Sequence, residues 1–78
     1  MSMAKTIGYS TPIREKFGER IRYLRKTQNK KIEDIAFGAS ISTSYLGMIE
    51  RGERNISIDM IERLAKSFKI KLVDLFDF

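Results

Sequence analysis

The sequence predicts an all-α fold, a compact bundle of about five short helices with a helix-turn-helix inside it. Three observations carry this. Apolar residues recur at steps of three and four along most of the chain. The periodic stretches open on Thr-Pro or Ser and close on Asn or Gly, the residues that suit helix starts and stops. Two of the short helices are separated by only three or four residues, with small side chains at the turn.

Residues 1–11 (MSMAKTIGYST) show no periodicity and read as a flexible N-terminal arm, in which Lys5 and Tyr9 can touch a partner. Residues 12–78 read as the domain. Thr11-Pro12 starts the first helix, with Pro where its missing N–H costs nothing. Ile13, Phe17, Ile21 and Leu24 form its apolar face, while Arg14, Arg22, Arg25 and Lys26 lie off it. It is expected to end near Gln28-Asn29, since Asn tolerates the left-handed conformation that closes helices. A second helix runs from about Lys31 to Ala39, with Ile32, Ile35, Ala36 and Ala39 apolar. Gly38-Ala39-Ser40 makes a tight corner, small because the helices cross steeply and their backbones approach closely. Ser42 caps a third helix carrying Tyr45, Leu46 and Ile49 on one face and stopped by Gly52.

After a polar loop, Ser57 caps a fourth helix reaching about Phe68, with Ile58, Ile61, Leu64, Ala65 and Phe68 as its inward face. The final run, Ile70 to Phe78, is too apolar for a solvated tail. As a helix, Leu72, Val73, Leu75 and Phe76 cover more than one face, so not all of them can turn inward. One face is expected to pack on helices one and four. The rest is expected to form a dimerisation segment over about 70–78, with Leu72, Val73, Leu75, Phe76 and Phe78 as its interface residues. Packing of the whole run into the core is the alternative.

Seventy-eight residues make one small domain, and a chain of this size buries only about 60% of its unfolded surface. With no Cys and no His, disulfides, thiol chemistry and the commonest general base are excluded, and only carboxylates remain as metal ligands. No phosphate-binding glycine loop, nucleophile motif or metal spacing is present. No enzyme activity, cofactor, metal or small-molecule ligand is therefore expected. The 15 Lys and Arg against 10 Asp and Glu are uneven, with nine bases and four acids in residues 1–39 and six of each in 40–78. A basic half on a small domain fits a polyanion partner, and it also fits simple solubility. No apolar run approaches the ~18 residues that span a bilayer, and no signal-peptide core is seen. A soluble, cytoplasmic protein is expected, nucleoid-associated if its source is prokaryotic.

From Phe17 to about Leu75 the sequence resembles the Cro and lambda-repressor (XRE-type) helix-turn-helix family. The residues that carry it are FGERIRYLRK at 17–26, EDIA at 33–36, SYLGMIERGERN at 44–55 and LAKSFKI at 64–70. GERNISI is also similar to the small controller proteins of restriction–modification systems. The resemblance implies a lambda-repressor-like domain that regulates transcription by binding double-stranded operator DNA as a homodimer. It would place helix three in the major groove, with Thr43, Ser44, Gly47 and Met48 toward the bases. Tyr45, Leu46 and Ile49 would hold that helix, Tyr45 also reaching the DNA with its hydroxyl. Lys30, Lys31, Arg51, Arg54 and Asn55 would meet the backbone, with Arg54 approaching the groove near the dimer centre. Arg25 and Glu50 match a structural ion pair between helices one and three.

Two departures stand out. Many relatives begin helix two with Ser or Thr and then Gln; here Lys31 and Ile32 occupy those positions. The base-facing set also lacks Arg, Gln and Asn, the residues that pair bidentately with G or A, so shape readout over paired half-sites is expected to carry much of the specificity. An antitoxin-type repressor whose apolar C-terminus also holds a toxin is one alternative. A protein–protein adaptor that has kept the fold and lost DNA binding is the other.

Overall fold

Among the described residues, three of the four α-helices begin on a hydroxyl that caps them. Thr11, Ser42 and Ser57 accept the amides of Arg14, Tyr45 and Met60 at 3.3, 3.0 and 3.0 Å, satisfying N–H groups that a helix start leaves unpaired. The computed structural model describes residues 10–78. The expected arm over 1–11 lies outside them, apart from Ser10 and the cap Thr11. Among the described residues the elements are α1 (Pro12–Thr27), α2 (Ile32–Gly38), α3 (Thr43–Glu50), α4 (Ile58–Phe68) and a 3-10 helix, Leu72–Phe76. The all-α class holds, and the last element is a tight 3-10 turn rather than a fifth α-helix. Helix α2 lacks a hydroxyl cap. Its N-cap Lys31 instead donates its amide to the Asp34 carboxylate at 2.9 Å.

The ends are set by left-handed residues. Asn29, Ser40 and Lys69 all sit at φ 60°, and Gly52 at φ 76°. In the α2–α3 corner it is therefore Ser40, not Gly38, that takes the strained conformation.

The core is built from Phe17, Ile21 and Leu24 of α1, Ile35 and Ala36 of α2, Leu46 and Ile49 of α3, and Met60, Leu64, Ala65 and Phe68 of α4. The expected faces need three corrections. Ile13 is 56% exposed, because one turn before Phe17 it only borders a shallow depression shared with Ile56, Ile61 and Phe76. Ile58 is 78% exposed, since it stands at the first position of α4 and Met60 takes the inward place. Leu75, expected at the dimer surface, is fully buried in the chain's own core. The 3-10 turn is clamped to α1, where Arg20 Nε donates to the Asp74 carbonyl at 3.0 Å and the Phe17 and Phe76 rings lie 5.2 Å apart. That clamp turns Leu75 inward.

Side chains also donate to carbonyls near helix ends, Ile35 O taking its bond in addition to the one from the Ala39 amide. Arg63 Nε donates to Ala39 O at 2.9 Å, Ser67 Oγ to Ile35 O at 2.8 Å and Gln28 Nε2 to Phe68 O at 3.0 Å. The first two tie α4 to the exit of α2 and so hold the helix-turn-helix corner. Helix α1 meets α3 through Gly18, where a Cβ would run into the carbonyl oxygens of Ile49 and Glu50.

Candidate nucleic-acid interface

The outward face of α3 is fixed from behind by one ion pair. Arg25 Nε donates to Glu50 Oε2 at 2.7 Å and Nη2 to Oε1 at 3.2 Å, a bidentate pair with side-chain exposures of 13% and 5%. Its remaining nitrogen, Nη1, donates to the Lys30 carbonyl at 3.2 Å. One guanidinium therefore joins α1, the α1–α2 turn and the end of α3. The hydrogen bond to Glu50 raises the Arg25 pKa against the opposing effect of burial.

With Leu46 and Ile49 buried and Tyr45 half-buried, the other side of α3 is open. Thr43 and Ser44 are exposed there, and Gly47 and Met48 half-exposed. These four line a shallow depression together with Ile32 of α2 and Arg51. Lys30 and Lys31 are exposed at the start of α2. The residues assigned to bases thus share one depression, and the two lysines directly precede Ile32, which borders it. Ile32 belongs to it too, although its apolar character in the sequence pointed only to the core.

The loop after α3 carries two further arrangements. Arg51 pairs with Glu53 through Nε–Oε2 at 3.0 Å and Nη2–Oε1 at 3.2 Å. That contact raises the Arg51 pKa. Arg54 is exposed and lies over the Tyr45 ring, 5.3 Å from its centroid, a cation–π contact that couples the loop to α3. Asn55 is exposed beside it. The Arg51–Gly47 neighbourhood was not anticipated, yet a spacing of four along a helix puts both on one face, and that signal was present.

At the far end of the chain, Leu72, Val73, Phe76 and Phe78 remain exposed. Among the described residues no group of three or more acidic side chains could hold a metal ion. No helix there is long and apolar enough to cross a membrane.

A helix-turn-helix family model matches residues 21–75. The chain is 39% identical over 67 residues to the control protein C.BamHI of Bacillus amyloliquefaciens, covering 85% of this chain and 83% of that one. It is also 39% identical over 62 residues to the HTH-type transcriptional regulator DdrOP3 of Deinococcus deserti. That match takes in 80% of this chain and 48% of the longer relative, of which the chain spans about half. Among solved structures, the restriction-modification controller protein C.AhdI from Aeromonas hydrophila superposes with a TM-score of 0.82 at 38% identity, covering 85% of this chain and 100% of that one.

Proposed function

The chain belongs to the helix-turn-helix family, and from that premise we infer that it is a DNA-binding transcriptional regulator that binds its operator as a homodimer. Its similarity to C.BamHI and C.AhdI, both controller proteins covered over most of their length, supports a controller-type regulator of a restriction–modification system. The observation that carries the DNA reading is the open, small-side-chain face of α3, held by the Arg25–Glu50 pair and flanked by Lys30 and Lys31.

In this reading α3 enters the major groove. Thr43 and Ser44 offer single hydrogen bonds to base edges, and Met48 and the Thr43 methyl suit a thymine methyl. Lys30 and Lys31 meet phosphates, together with Arg54 and Asn55 from the loop after Gly52. Because Arg54 rests on Tyr45, the ring orients the guanidinium toward the groove near the dimer centre. The two-fold contact is assigned to Leu72, Val73, Phe76 and Phe78, which the monomer leaves exposed. Half-sites would then lie about one helical turn apart, ~34 Å.

The test is selection of random duplex DNA by the protein, followed by anisotropy titration of the enriched sequences at two salt concentrations. A two-fold related site with one-turn spacing, bound cooperatively and less tightly at high salt, is the expected result. Feeble binding to every duplex even at low salt would instead favour a protein–protein adaptor.

A further inference from the structure

Helix α3 has no Arg, Gln or Asn on its outward face, yet the structure brings one arginine onto that face from just beyond the helix end. We propose that Arg51 reads a guanine in the major groove and that Glu53 is the positioning residue that holds it for the task. This rests on the DNA-binding reading above and adds a base reader to it.

The geometry is specific. A guanidinium has two edges able to bind bidentately, Nε with Nη2 along its side and Nη1 with Nη2 at its end. Glu53 takes the side edge, with Nε–Oε2 at 3.0 Å and Nη2–Oε1 at 3.2 Å. Nη1 lies over Gly47, where a Cβ would stand 3.3 Å from it. Glycine in mid-helix is a poor helix former, and the space it leaves here is the seat of the guanidinium. The end edge therefore borders the depression lined by Thr43, Ser44, Gly47 and Met48.

Guanine presents O6 and N7 side by side, and a bidentate arginine is the commonest specific contact to it. Charge separates the two targets open to Arg51. A phosphate approaching this guanidinium meets the Glu53 carboxylate as a like charge. A guanine edge offers neutral acceptors and avoids most of that repulsion. Fixing the side edge also removes rotamer freedom before binding, so less order is lost on contact. Arg54, which stacks on Tyr45 and pairs with no carboxylate among the described residues, stays the better phosphate ligand.

The experiment is selection from random duplex DNA with the unaltered chain, Arg51→Lys and Glu53→Gln, with titrations of each protein over a range of salt. The unaltered protein is expected to enrich a G·C pair at one fixed position in each half-site, with roughly 10- to 100-fold discrimination there. Arg51→Lys should reduce that preference to a few-fold and leave the other positions as they were. Its salt dependence should not change, since Lys keeps the charge. Glu53→Gln should broaden the same position without weakening binding to mixed-sequence duplex. If Arg51→Lys leaves every position's preference intact, or weakens all sequences alike, Arg51 contacts phosphate and the inference falls. A full guanine preference in Glu53→Gln overturns the positioning role. If the unaltered protein enriches nothing, the regulator reading fails and this inference with it. An enriched site with no guanine tied to Arg51 removes the inference alone.

Discussion

Arg25 and Glu50 form the tightest ion pair among the described residues, with Nε and Oε2 at 2.7 Å and both side chains largely withdrawn from solvent. The pair joins two helices that otherwise meet over a glycine, and it fixes the angle at which α3 presents its outer face. Removing one partner would leave the other charge buried without compensation. Arg25→Met should therefore destabilise the fold by about 3 kcal/mol, measured by urea unfolding, and a double-mutant cycle with Glu50→Leu should recover much of it. The raised Arg25 pKa gives a stabilisation that is complete below the unfolded value and lost only as pH rises through the folded one. Arg25 should thus add no pH dependence near neutrality.

Two glycines should respond in opposite ways. At Gly18 a methyl meets the backbone carbonyls of Ile49 and Glu50, which cannot move without shifting α3. Gly18→Ala should cost about 2 kcal/mol or more in a thermal melt. At Gly47 the neighbour is the flexible end of Arg51. Gly47→Ala should therefore stabilise the fold by up to about 1 kcal/mol through helix propensity, while displacing the Arg51 guanidinium from the outer face of α3.

Neighbouring apolar residues near the C-terminus should also separate. Leu75 is fully buried, so Leu75→Ala should cost about 3 kcal/mol in urea unfolding. Val73 is 67% exposed; Val73→Lys should leave monomer stability within about 0.5 kcal/mol. If this face joins two copies, sedimentation of Val73→Lys should move toward the monomer. An unchanged dimer would place the contact elsewhere.

Lys31 presents its charge at the start of α2, and its amide, not its side chain, makes the bond to Asp34. Lys31→Ala should weaken binding to every duplex alike and lower the slope of log K against log salt by about 0.9 per site, as expected for one lost phosphate contact.

Much of the fold could be read along the chain because its determinants are local. Thr11, Ser42 and Ser57 cap the helices they were expected to cap, and Asn29 and Gly52 take the positive φ that stops need. Ile21, Leu46, Leu64 and Phe68, each on a helical stripe, are buried as expected. Stripes fail at their ends. Ile13 and Ile58 carry the right spacing, but burial needs a neighbour across the gap, and periodicity says nothing of where that neighbour runs out.

What the sequence by itself determined is whatever depends on residues within about a turn of each other: helix limits, caps, the short α2–α3 corner and which side of α3 is small and polar. Only the tertiary structure decided that Leu75 is core while Val73 is surface, and that α4 braces the corner through Arg63 and Ser67. The physical reason is common to both. Each depends on where a side chain meets a second element beyond its own helix. Backbone propensity is summed along the chain, whereas contacts of this kind are settled by the packing of elements in space.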